Sequence, residues 1–414
     1  MSTTITSSTQ DKLQSARAAA SRLAQLSTLQ KNALLLVMAD AIVDHEPALL
    51  EANRADVECC GLEGSMRERL LLDEGRIRAM ARGVREVANL PDPVYEVLSE
   101  TTRPNGLQIR KLRVPLGVIG VIYESRPNVT VDAAALAIKT GNAIVLRGGK
   151  EASRSNQKLV EILSRVVGLP EGAIQLLDCS SRESTQELIR ARGLVDVLIP
   201  RGGPELIAWV AENATVPVIE TGAGNCHVFV DESANFDMAD AIVINAKTQR
   251  PAVCNAAEKL LVHKSIAAAY VPRIVKKLAA AGVEVRGDDE VRRFVHGVVP
   301  AQEQDWGEEY LRMCMAVGVV PSLADAIAHI NRYSTQHSDA IVTENEANAR
   351  QFLRQVDSAA VYWNASTRFS DGGEFGFGAE MGISTQKLHA RGPFALAELT
   401  STKYEVVGNG QIRK

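Results

Sequence analysis

The chain has 414 residues, 46% hydrophobic and 23% charged, with a formal net charge of −4, the balance of a globular protein with two or three domains and ample core. A small net charge without a long run of one sign argues against nucleic acid or an anionic membrane as the main partner, and 4% aromatics leave no stacking platform for bases. The first ten residues, MSTTITSSTQ, lack the basic and apolar regions of a secretory signal. No run reaches the ~18 apolar residues of a membrane span, so the expected location is cytoplasmic.

In chain order, the stretch from about Asp11 to Arg85 reads as helix. Leu34, Val37, Met38, Ala41 and Ile42 recur at helical spacing, while Pro47, Gly61, Gly64 and Gly75 cut the run into several helices. LPDPVYEV breaks the pattern at Pro91 and Pro93. From Val114 the texture changes. VPLGVIGVI is a β-branched apolar run and hence a buried strand; VDAAALAIKTG is a helix closed by Gly141. NAIVLRGG, AIQLLD and VDVLIP read as strands, separated by the helices KLVEILSRVVG and ESTQELIRARG. PELIAWVAENA is a helix with Pro204 in its first turn, and VPVIETG and CHVFVD follow as strands.

The alternation restarts after Asp237. ADAIVINAKT, IAAAYVPRIVKKLAAAG, LADAIAHINRY and ANARQFLRQV are helices, set between the strands EKLLVH, VEVRG, LRMCMAVGVV, SDAIVT and SAAVYWN. Short apolar strands alternating with helices predict two doubly wound α/β domains. After Gly392 the helical period is lost. LAELTSTKYEVV reads as an extended tail that pairs with GLQIRKLRV, from Gly106, in a small sheet suited to joining subunits.

Six cysteines stand at 59, 60, 179, 226, 254 and 314, with no CxxC pair, and the seven histidines show neither HxxxH nor HExxH spacing. No metal site is expected, and the cysteines read as reduced thiols. There is no GxGxxG; in ETGAGNCH the third glycine position holds His227. Cys254 lies between a predicted helix and strand in NAKTQRPAVCNAAEKLLVH, a stretch too polar for core. It is either a half-buried loop thiol or a nucleophile.

Resemblance separates those readings. GVIGVIYESRPNV followed by TGNAIVLRGGKEA resembles the strand, active-site loop, helix and second strand of the aldehyde-dehydrogenase superfamily. PVIETGAGNCHVFVD resembles its ELGGK segment, and Cys254 falls where the superfamily keeps its nucleophile. VPSLADAIAHINRYSTQHSDAI, from Val320 to Ile341, together with YESRPNV and NAKTQRP, is similar to the γ-glutamyl phosphate reductase family.

The resemblance implies an NADP(H)-binding domain over 1–100 and 114–236 and a catalytic domain over 237–385, with oligomerisation strands over 101–113 and 386–414. It implies reduction of γ-glutamyl phosphate to glutamate 5-semialdehyde in proline biosynthesis, NADP(H) as cofactor, a homo-oligomer, and the upstream glutamate kinase as a candidate partner. Residue by residue, it makes Cys254 the nucleophile and Asn128 the oxyanion donor. Glu220 takes the position of the general base, either in that role or as a strand-end carboxylate. Arg147, Lys150, Glu309 and Gly222 fall on the cofactor side; Arg126 and Arg250 are candidates for the substrate's phosphate. His329 and His337 belong to the family signature and read as structural. Three other readings share these residues: a hydrolytic aldehyde dehydrogenase, a thiol hydrolase with His263 as its nearest base, and an inactive scaffold.

Overall fold

The computed structural model describes residues 7–413. The chain divides into two compact units. Unit 1 runs up to Thr221 and takes in Gly376–Gly382 and the chain from Phe394 onward; unit 2 is Gly222–Phe375 with Ile383–Pro393.

Unit 1 opens with five helices, α1 (Thr9–Leu23), α2 (Thr28–Asp44), α3 (Glu46–Cys59), α4 (Gly64–Leu70) and α5 (Glu74–Asn89). Their starts are encoded locally. Ser8 with Asp11 and Ser27 with Gln30 form capping boxes, and Asp73 caps α5. Two antiparallel strands follow, β1 (Val97–Thr102) and β2 (Gln108–Pro115). The parallel core then builds as β3 (Val118–Tyr123), α6 (Pro127–Lys139), β4 (Ala143–Arg147), α7 (Ser153–Ser164), β5 (Ile174–Leu176), α8 (Arg182–Arg190), β6 (Val197–Arg201) and α9 (Pro204–Asn213). The sheet order is β5-β4-β3-β6, so the winding reverses between β3 and β6. In open parallel sheets such a reversal is where ligands bind, at the carboxyl ends of the two strands.

All six residues of β3 are buried. Helix α6 is buried along nearly its whole length and ends as the sequence suggests. Gly141 has φ 70°, its N–H donates to Ile138, and Asn142 N–H reaches Ala137 at 2.8 Å, which satisfies the last carbonyls.

Unit 2 contains β7 (Cys226–Val230), α10 (Phe236–Thr248), β8 (Ala257–His263), α11 (Lys264–Ala280), β9 (Glu284–Gly287), α12 (Asp289–Phe294), β10 (Val299–Pro300), β11 (Cys314–Val320), α13 (Leu323–Tyr333), β12 (Ser338–Val342), α14 (Glu346–Gln355) and β13 (Ala360–Trp363). Its strands form a seven-stranded sheet in the order β10-β9-β11-β8-β7-β12-β13. Alternate residues feed two cores. Val228, Leu260, Ala340 and Val342 pack with Val243, Val271 and Ile274, whereas Phe229, Leu261 and Ile341 pack with Ile327, Ile330 and Phe352. A sheet covered on both faces needs apolar residues at every strand position, which is why these strands read as continuous runs.

The last strands are β14 (Gly382–Ser384), β15 (Gly392–Phe394) and β16 (Thr400–Val407). β16 pairs with β2, from Thr400 opposite Pro115 to Val407 opposite Gln108, so the tail joins GLQIRKLRV as expected, in a three-stranded sheet β1-β2-β16.

Two expectations are corrected. VPVIETG is reduced to a single bridge, Val218 with Leu198, because Pro217 has no N–H to give a ladder. CHVFVD, placed before the break at Asp237, is a strand of the second sheet: β7 pairs with β8 and β12. No helix among the described residues is long and apolar enough to cross a membrane.

Candidate active site

Cys254 lies in the loop between α10 and β8, half-buried. The base of that loop is clamped by an ion pair, Lys247 Nζ to Glu258 Oε2 at 2.7 Å, with both side chains fully buried. On the far side of Cys254, Asn255 is gripped by the 3₁₀ turn Thr367–Phe369. Thr367 Oγ1 donates to the Asn255 carbonyl at 2.7 Å, and Asn255 Nδ2 donates to the Ser370 carbonyl at 2.9 Å.

The segment Gly222–Asn225 backs onto the same loop. A Cβ at Gly224 would overlap the Cys254 carbonyl oxygen, so only glycine fits. Gly224 N–H donates to Glu309 Oε1 at 2.7 Å. Asn225 Nδ2 holds the Trp306 and Tyr333 carbonyls at 2.7 and 2.8 Å. The Cys226 thiol donates to the Cys254 carbonyl at 3.2 Å. Burial pushes the Cys226 thiol up, so it stays protonated and serves as that donor. The glycines of ETGAGNCH therefore permit a close approach of two backbones.

Within unit 2 the structure thus brings Gly222, Glu309 and Cys254 onto one small assembly. Gly222 N–H is committed to the Ile383 carbonyl at 2.9 Å, and its Cα packs on Thr385. Glu309 is half-buried beside the loop, its carboxyl raised by burial and partly relieved by the Gly224 N–H.

Arg250, exposed, follows the α10 C-cap. Sequence reasoning missed a second cation, Arg368. Its Nε donates to Gln249 Oε1 at 2.9 Å, and its carbonyl accepts from Asn255 Nδ2 at 3.3 Å, so it is tied to both flanks of the cysteine loop. Burial lowers this guanidinium from its ordinary value, with the charge of Arg250 adding to that shift and Asp371, Cys254 and Cys226 acting against it. No spacing rule links Arg368 to Cys254; the only signal was a lone arginine in a polar loop.

His337 is fully buried, with Nδ1 2.9 Å from Ser338 Oγ, and Ser338 Oγ continues to Ser370 Oγ and Tyr362. His329 is wedged among Trp306, Tyr333 and His227. Burial holds both imidazoles neutral, pushing His337 down to about 4 and His329 to about 3.

In unit 1, Arg126 caps α6 through its backbone, and Asn128 lies in the first turn, exposed. Asn128 Nδ2 donates to Asp132 Oδ2 at 3.0 Å. Asp132, also missed, is a lone carboxylate in an apolar helix, which is a readable signal. Burial pushes its carboxyl up to about 6, with Asn128 and the charge of Arg201 acting against that shift. Glu220 is half-buried, next to the Thr221 that ends this segment of unit 1.

Arg147 ends β4, and Lys150 follows it across Gly148 and Gly149. Arg147 gives Nη1 and Nη2 to the Gly148 and Cys179 carbonyls, both at 3.2 Å. Its Nε is buried with no hydrogen-bond partner among the described residues, and Lys150 is exposed. A Cβ at Gly148 would overlap the Asn156 amide, which leaves bare backbone at the strand end. Cations over bare backbone at the carboxyl end of a parallel strand fit the phosphates of a nicotinamide dinucleotide.

None of the six cysteines is in a disulfide. Among the described residues no three His, Cys, Asp or Glu side chains are grouped to hold a metal.

Comparison with known proteins identifies the family. The profile of the aldehyde dehydrogenase family matches residues 3–292. A γ-glutamyl phosphate reductase of Koribacter versatilis is 67% identical, over 98% of this chain and 100% of that one. The crystal structure of a γ-glutamyl phosphate reductase from Thermotoga maritima superposes with a TM-score of 0.96 at 48% identity, covering 99% of this chain and 100% of the other. An engineered glycolyl-CoA reductase with bound NADP+ shares the fold at 17% identity and a TM-score of 0.71, over 97% and 96% of the two chains. The chain belongs to the aldehyde dehydrogenase family, and within it to the γ-glutamyl phosphate reductases.

Proposed function

We propose that this chain reduces γ-glutamyl phosphate to glutamate 5-semialdehyde with NADPH, in proline biosynthesis, through a thioester on Cys254. The observation that carries the reading is the seat of that cysteine. Its loop is clamped at the base by Lys247–Glu258, backed by Gly224 and Cys226, and flanked by two arginines. A structural thiol has no need of such a frame.

The thiolate attacks the acyl carbon, and the carbonyl electrons move to oxygen. Collapse of this oxyanion expels inorganic phosphate and leaves the glutamyl group on sulfur. In this reading Asn128 donates its amide N–H to the oxyanion; losing one such donor typically costs about 10²–10³ in rate. Arg250 and Arg368 receive the phosphate, where paired charged hydrogen bonds offset repulsion between thiolate and substrate. When bound, NADPH supplies the hydride that reduces the thioester. The resulting thiohemiacetal breaks at its C–S bond, freeing the aldehyde and returning Cys254 as thiolate.

Arg147 and Lys150 would hold the cofactor's phosphate end, and Glu309 and Gly222 its nicotinamide side. Glu220 keeps the position of a water-activating base, a role that would compete with reduction. The sheet β1-β2-β16 exposes Val97, Leu98, Tyr404, Val406 and Val407, an apolar surface that supports its reading as the contact between copies of this chain.

Replacement of Cys254 by Ala tests the covalent step. Turnover should fall to background while NADPH binding, followed by cofactor fluorescence, stays intact. Activity surviving within tenfold of wild type would remove Cys254 from the mechanism.

A further inference from the structure

Helix α6 is buried all round except along one stripe. From Pro127 to Lys139, only Asn128 and Asp132 reach the surface, one exposed and one half-buried. They lie four residues apart and so share one face. Their side chains touch at 3.0 Å, and among the described residues Asp132 has no ion-pair partner within salt-bridge distance. Arg201 ends β6, the strand paired with β3, and its charge reaches Asp132. All three residues therefore lie at the carboxyl ends of β3 and β6, where the sheet's winding reverses, the place where open parallel sheets bind their ligands. A half-buried carboxylate with no cation in contact is costly to keep, and a ligand can supply that contact.

The substrate proposed above has a charge to supply. Its acyl carbon is joined through two methylenes to a carbon bearing an ammonium and a carboxylate group. With the acyl oxygen at Asn128, the ammonium end lies within reach of the side chain one helical turn further on.

We propose that Asp132 recognises the α-ammonium group of the amino-acid substrate, and that Arg201 stands beside it for the α-carboxylate. The proposal rests on the reading of the reaction given above. It makes Asp132 a specificity residue that selects an amino acid over the same chain without its amine.

The test compares two aldehydes in the oxidative direction, with NADP+ and phosphate: glutamate 5-semialdehyde and its des-amino counterpart, 5-oxopentanoate. Comparing variants on the same aldehyde cancels the fraction lost to cyclisation or hydration. Asp132→Asn is nearly isosteric and keeps a partner for Asn128. It should lower kcat/KM for the amino aldehyde by roughly tenfold to a hundredfold, the loss expected for one charged hydrogen bond, and leave 5-oxopentanoate within about twofold. Equal losses on both aldehydes would reassign Asp132 to positioning Asn128 and overturn the proposal, as would no loss on either. Asp132→Ser, which removes the charge with less bulk, should show the same split. A wild-type enzyme that oxidises neither aldehyde would instead sink the parent reading, an outcome distinct from both.

Discussion

At the scale of single residues, burial sets the state of the two signature histidines. Burial holds His337 neutral, at about 4, and burial together with the charges of His227, Lys259 and Arg332 holds His329 neutral, at about 3. An imidazole whose folded pKa lies below its unfolded value of ~6.5 carries fewer protons folded than unfolded, so stability rises with pH. The contribution is complete above about pH 6.5 and is lost as the pH falls through about 4. We therefore expect denaturant midpoints to drop over that window, and His337→Asn to flatten the drop. An unchanged slope in the variant would mean that other groups govern acid unfolding. The residue scale is also where the sequence was least legible. Cys254 stood out by position, but Gly224 matters because of the backbone behind it, and Arg368 because of a turn far along the chain. Such contacts follow from tertiary packing and have no local spacing.

At the scale of elements, the reading of the sequence went furthest. Continuous β-branched runs marked strands covered on both faces, and serine, aspartate and glycine marked helix ends. What periodicity does not carry is sheet membership: CHVFVD reads the same in either sheet, and only pairing with β8 and β12 decides it. The element that matters most to chemistry is the α10-loop-β8 unit. Lys247 and Glu258 close its base with no exposure to water, so removing one partner strands a buried charge. Lys247→Met should lower the unfolding free energy by roughly 3–5 kcal/mol, while the apolar double replacement with Glu258→Leu should recover most of it. Guanidinium melts of the two variants decide this; a single variant within about 1 kcal/mol of wild type would show that the pair does not hold the loop.

At the scale of the whole molecule, unit 2 carries Cys254, Arg250 and Arg368, and unit 1 carries Asn128, Arg147 and Lys150. The composition foretold a globular protein only in outline; it was the order of motifs along the chain that named the family. The central claim is that the acyl group on Cys254 exchanges with phosphate and not with water. Glutamate 5-semialdehyde closes on its own amine, so an enzyme that makes it needs an activated acyl donor, and reversal must return that group to phosphate. The direct measurement is NADPH formation from the aldehyde and NADP+ as phosphate is varied. No steady NADPH formation is expected without phosphate, and the rate should saturate as phosphate is added. Sustained NADPH formation in phosphate-free buffer, with glutamate accumulating, would contradict the central claim.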